Sequence, residues 1–165
     1  ATSVVSSYFM PTSTLSICNA GHPTPLICRK RTDHWEPLEV PESERRMEDM
    51  PFGLDDASAY SRLDVPVKTG DLVLCYTDGV IESQDENGQQ LGIAGLQSFL
   101  HECSRHRPEA TLPKLVQSIT ASGNGVVHDD DVTMVLHRIT NRGVPLRDNL
   151  AAPFRWLSSI FSNNP

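Results

Sequence analysis

The sequence predicts an α+β domain, with antiparallel strands in its first half and helices layered outside a sheet. Three observations carry this. Residues 2–40 break into short apolar runs separated by turn residues at hairpin spacing. Leu72-Val73-Leu74-Cys75-Tyr76-Thr77 is a continuous apolar run of strand length that ends in Asp78-Gly79. Two segments with helical apolar spacing then lie between that strand and a last one, Val132-Thr133-Met134-Val135-Leu136.

Thr2 to Phe9 and Leu15 to Ala20 form a predicted hairpin around Met10-Pro11-Thr12-Ser13, residue types that favour turns. Leu26-Ile27-Cys28 and Trp35 to Val40 form a second, around Arg31-Thr32-Asp33. From Glu36 to Asp56 acids and prolines dominate, as in a loop crossing a sheet edge. Leu63, Val65 and Val67 alternate with polar neighbours, the pattern of a half-buried strand. Lys68-Thr69-Gly70-Asp71 then turns the chain into the strand at Leu72.

Leu96, Phe99, Leu100 and Cys103 keep the i, i+3, i+4, i+7 spacing of one helix face, and Leu112, Leu115, Val116 and Ile119 repeat it. Thr111 is the expected N-cap of the second helix, with Pro113 tolerated in its first turn. Gly123 and Gly125 loosen the chain before the acidic turn Asp129-Asp130-Asp131. Residues 1–140 make up the domain and 141–165 a tail. In that tail Phe154, Leu157, Ile160 and Phe161 fit one face of a short helix after Pro153, which packs back on the domain or frays, the alternative being contact with a partner or a membrane.

The chemistry concentrates where two apolar strands meet acids. Burying an ionised carboxylate without a partner is costly, so packing alone explains neither Asp78 nor Asp130. Brought together, such strand ends make an oxygen-rich site suited to hard divalent cations. Taken singly, each acid also fits the opening of a turn, since Asp-Gly is a common turn pair.

Five motifs occur in order: Asn19-Ala20-Gly21-His22-Pro23, Pro51-Phe52-Gly53-Leu54, Gly70-Asp71-Leu72, Tyr76-Thr77-Asp78-Gly79-Val80-Ile81-Glu82 and Asp130-Asp131-Val132-Thr133. The series resembles the carboxy-terminal half of the metal-dependent serine/threonine protein phosphatases of the SpoIIE and RsbU type, the bacterial branch of the type 2C fold. The resemblance covers residues 1–140 and implies part of a four-layer α-β-β-α sandwich built on two antiparallel sheets. It implies a centre of two divalent metals, Mn2+ or Mg2+, that activates a water for in-line attack on phosphoserine or phosphothreonine. Matched motif by motif, Asp78 and Asp130 take the positions of metal ligands, and Asp131 that of the polar neighbour of the second ligand. Asp129 falls outside the pattern and reads as a solvated turn residue. His22 lies in a loop that runs near the catalytic edge in the family. There it would either contact phosphate or a metal-bound water, or fix the loop through hydrogen bonds.

The family's other ligands lie upstream, in a loop of the Asp-x-x-Gly-His-Gly or Asp-Gly-x-Gly kind, and Ala1 to Ser16 contains neither. The chain is therefore expected to be half a catalytic domain that alone binds divalent metal weakly. The expected partner is a phosphoprotein, an anti-sigma-factor antagonist in the family's best-known signalling systems. The rival reading is a non-catalytic protein-binding module that keeps the fold without the metal centre.

Composition narrows the field. A chain of 165 residues suits one domain with a core of its own. A net charge of −7 and a pI near 5.3 argue against nucleic acid or an acidic membrane as the main partner. Cys18, Cys28, Cys75 and Cys103 show no CxxC spacing and read as small residues of a reducing compartment. No run approaches 18 apolar residues and no signal peptide is visible, so a cytoplasmic location is expected. His101 and His106 lack partners at zinc spacing, and no P-loop or Ser/His/Asp pattern occurs. Glu82, Asp85 and Glu86 would hold outer-shell waters or simply form a solvated acidic turn.

Overall fold

The computed structural model describes residues 1–41, 50–54, 60–84, 88–103, 108–122 and 131–141. Strands β1 (Ser3–Phe9), β2 (Thr14–Ala20) and β5 (Arg62–Pro66) make one sheet in the order β1-β2-β5. Strands β3 (Leu26–Cys28), β4 (Trp35–Pro37), β6 (Leu72–Tyr76) and β7 (Met134–Arg138) make a second, ordered β4-β3-β6-β7. Every neighbouring pair is antiparallel. The helices are α1 (Asp78–Ile81), α2 (Gly92–Glu102) and α3 (Thr111–Ser122).

Alternation along β3 and β6 explains why both read as unbroken apolar runs: each is buried on both faces. Leu26, Cys28, Leu72, Leu74 and Tyr76 face one way, into a core closed by Val80, Leu96, Leu100, Leu115 and Ile119 of the helices. Ile27 and Val73 face the other way, into a core shared with Leu15, Ile17 and Val65 of the three-stranded sheet. Helix, sheet and sheet therefore stack as three layers among the described residues. This is the predicted α+β arrangement of antiparallel sheets.

Both predicted hairpins form, the first closing through a 3-10 turn at Met10–Thr12 with Ser13 in the left-handed region at φ 51°. Several boundaries differ from expectation. β4 stops at Pro37, although Leu38 beyond it is buried between the sheets. β7 begins at Met134, and Val132 packs against the helical core from outside the strand. Thr111 is no cap: a 3-10 turn at Pro108–Ala110 enters α3, and Thr111 is its buried first residue. Val116 points away from its predicted face and is 45% exposed. The tail helix, His106, the two glycines at 123 and 125, and residues 42–49 and 55–56 of the acidic loop lie outside the described residues. The four cysteines form no disulfide. Among the described residues no helix is long and apolar enough to cross a membrane.

Candidate metal centre

The register of the four-stranded sheet decides which loops share an edge. Tyr76 at the end of β6 pairs with Met134 at the start of β7, so Thr77-Asp78 and Asp131-Val132-Thr133 leave the sheet side by side. Leu26 pairs with Leu74, so the Gly21–Pro25 segment preceding β3 runs past this same end of β6.

Thr77 clips the edge together. Its backbone N–H donates to the Thr133 carbonyl at 3.0 Å, and its hydroxyl donates to the Asp131 carbonyl at 3.0 Å. The same hydroxyl accepts from the Thr133 N–H at 2.9 Å. A hydroxyl can give one bond and accept others, and here it joins the residue before Asp78 to the main chain of Asp131. Thr77 lies inside the fourth motif, but sequence reasoning gave it no role of its own. Its only signal is a hydroxyl residue between an apolar strand and an acid.

Asp78 opens α1 and is exposed, with its Oδ1 accepting the Gly79 N–H at 3.2 Å and its carbonyl accepting the Glu82 N–H at 2.9 Å. Asp131 is exposed at the same edge. Asp130, its neighbour in the chain, lies outside the described residues, as do Asp129, Asp85 and Glu86. Glu82 is exposed at the end of α1. Among the described residues no group of three or more His, Cys, Asp or Glu side chains is placed to hold a metal. Asp78 and Asp131 stand exposed on adjoining segments of one sheet edge, and carboxylate oxygens are the donor type that hard divalent cations take.

His22 has a well-defined setting. Asn19 accepts the His22 N–H at 2.9 Å through Oδ1 and donates to the His22 carbonyl at 2.8 Å through Nδ2, closing the loop on itself. The imidazole Nδ1 lies 3.3 Å from the Thr2 hydroxyl. Gly21 holds φ 64°, and a Cβ there would fall 2.5 Å from Pro51 Cγ. Ala1 and Phe52 exchange main-chain hydrogen bonds of 2.6 and 3.0 Å, and the Phe52 ring meets Tyr60 edge-on at 5.1 Å. The second motif is therefore seated against the first.

Beneath the edge, burial pushes the Tyr76 hydroxyl pKa up to about 12 and raises the Cys75 thiol. The Tyr76 hydroxyl has no hydrogen-bond partner among the described residues.

A sequence profile of the family described as Stage II sporulation protein E (SpoIIE) matches residues 1–140. The chain belongs to the SpoIIE family. Solved structures agree on its fold. The phosphatase domain of SpoIIE from Bacillus subtilis, presoaked with Mn, superposes with a TM-score of 0.65 at 17% identity, covering 89% of this chain and 59% of that one. The RsbU and RsbW domains of Rv1364c from Mycobacterium tuberculosis give 0.62 at 21% identity, covering 96% and 45%. The SiaA-PP2C domain of Pseudomonas aeruginosa gives 0.61 at 17%, covering 78% and 47%. No curated protein matches the chain. This SpoIIE-family chain has a PP2C-type phosphatase fold and spans 59% of the length of the B. subtilis domain.

Proposed function

We propose that this chain is the carboxy-terminal part of a cytoplasmic, metal-dependent phosphatase domain that hydrolyses phosphoserine or phosphothreonine in a regulatory phosphoprotein. The observation that carries the reading is the Thr77 clip, which brings Asp78 and the acid-tipped start of β7 to one sheet edge in a SpoIIE-family fold. Asp78 and Asp130 would hold Mn2+ or Mg2+, with Asp131 beside them. Bound metals would lower the pKa of a water and offset charge on the phosphoryl oxygens. The chain's own residues supply position: Thr77 fixes where the two acidic segments leave the sheet, the Gly79 N–H orients the Asp78 carboxylate, and Asn19 and Thr2 fix the conformation of the His22 loop. An anti-sigma-factor antagonist is the substrate type that the family relationship suggests.

The test uses a longer polypeptide that adds an upstream segment carrying Asp-x-x-Gly-His-Gly. Hydrolysis of a phosphoserine peptide should then depend on Mn2+ or Mg2+, and Asp78→Asn or Asp130→Asn should each lower it by about 100-fold or more. Full activity in the Asp130 variant would make Asp130 a turn residue. A folded, inert long form would favour the protein-binding module instead.

A further inference from the structure

The end of the four-stranded sheet opposite Asp78 carries a feature that catalysis does not use. Cys28 pairs with Leu72, so the turn after β3 and the turn before β6 lie together there. Between them opens a pocket of about 580 Å³ lined by Arg29, Lys30, Arg31, Pro66, Lys68 and Asp71, among others. Four of the chain's fourteen Lys and Arg residues line it, on a molecule whose net charge is −7.

These cations are organised from below. Asp71 is only 3% exposed, and its two carboxylate oxygens accept the Lys30 N–H and the Lys68 N–H, each at 2.8 Å. One carboxylate thus ties both turns in place. Arg29 sits 3.6 Å from Asp71 and 3.6 Å from Glu36, so its charge is locally compensated. The Lys30 stem lies over Gly70, where an added Cβ would fall 2.7 Å from Lys30 Cδ. Lys30, Arg31 and Lys68 are exposed and form no ion pair among the described residues. Cationic head groups thus rise on both rims of a pocket whose floor is a carboxylate.

We propose that this pocket binds an acidic, carboxylate-rich segment of a partner polypeptide. A compact anion at the centre would face the Asp71 carboxylate, whereas an extended acidic segment can cross the floor and meet cations on both rims. Nucleic acid fits less well, because its continuous charge would extend over a surface of the same sign. The pocket is one β6 length, roughly 15 Å, from the acid-tipped edge. The proposal does not depend on the phosphatase reading, and its readout is binding.

The test is fluorescence anisotropy of a fluorescein-labelled hexaglutamate peptide with the full chain at 50 mM NaCl. Saturable binding is expected, weakening about tenfold or more at 500 mM NaCl as screening shortens the reach of the charges. Arg31→Glu and Lys68→Glu should each weaken it about fivefold or more. Both positions are exposed, so circular dichroism should show an unchanged fold. Lys114→Glu, on exposed α3 surface, makes the same charge change elsewhere and should leave binding intact. Equal weakening by Lys114→Glu would reduce the effect to net charge and overturn the proposal. So would wild-type affinity in both pocket variants, tighter binding of duplex DNA, or displacement by inorganic phosphate at matching concentration, which would mean an adventitious anion site only.

Discussion

Replacing Tyr76 by Phe isolates one oxygen atom in the helical core. Tyr76 is 1% exposed, and its ring packs in the core beneath α1, α2 and α3. Its hydroxyl has no partner among the described residues, so folding strips water from a polar group and returns little. A buried unsatisfied hydroxyl costs about 1–3 kcal/mol, and Phe keeps the ring that fills the space. We expect Tyr76→Phe to raise stability at pH 7 by about 1 kcal/mol, after part of the gain is lost to the small void left behind. In urea this moves the midpoint up by roughly 0.5 M.

A second readout of the same variant comes from pH. The phenol's folded pKa is raised from 10.0 to about 12, so between those values the unfolded chain releases a proton that the folded chain keeps. The contribution is fully present below pH 10 and lost as pH climbs through 12. At pH 11 the wild type should have lost on the order of 1 kcal/mol that Tyr76→Phe does not lose. The half-buried thiols of Cys75 and Cys103 are pushed up by desolvation in both proteins and cancel in the difference. Urea midpoints at pH 7 and pH 11 measure both effects. A variant less stable than wild type at pH 7 by more than about 1 kcal/mol would show that the hydroxyl makes a bond worth keeping. Parallel alkaline losses in the two proteins would refute the burial argument.

Other substitutions test the edge. Thr77→Val removes the hydroxyl that bridges Asp131 and Thr133, and should cost about 1–2 kcal/mol in denaturant titrations, with Thr77→Ser retaining most of it. A shift shared equally by Ser and Val would assign the loss to packing. Gly21→Ala combines a left-handed backbone with a Cβ 2.5 Å from Pro51, and a loss of about 2–4 kcal/mol is expected in thermal or urea melts. A neutral result would show that the first two motifs do not press on each other. Calorimetric titration of the chain as it stands with Mn2+ should find no tight site, because the acids present leave most of the coordination sphere to water. A stoichiometric heat signal abolished by Asp78→Asn would show that this part of the domain suffices.

Periodicity was most legible where one residue type repeats over several turns or along a whole strand. Leu96 with Leu100 and Leu115 with Ile119 announced their helix faces, and the run at Leu72 announced a strand, which the two cores cover on both sides. Short elements carry no period. The four residues of α1 and the three of β4 are set by what surrounds them, and Thr111 was drawn inside its helix by burial rather than left at a cap. The candidate acids Asp78 and Asp131 stood out because charge at the end of an apolar strand is conspicuous. The Thr77 clip was not, because its meaning depends on a register that pairs residues 56 positions apart. The basic pocket was hidden for a similar reason: Arg29-Lys30-Arg31 and Lys68 belong to turns far apart in sequence, and Asp71 read as a turn residue.

The two-faced burial of β3 and β6 bears on how the molecule comes apart. Leu74 is fixed in the helical core while Val73, its neighbour, is fixed in the inter-sheet core. Neither core can open without dislodging the strand that the other needs. The amides of Leu72 to Tyr76, in a strand flanked by β3 and β7, should then exchange with deuterium only through global unfolding, while those of β1, which has one strand neighbour among the described residues, should exchange sooner. Two hydrophobic centres with a strand in common melt as one cooperative unit.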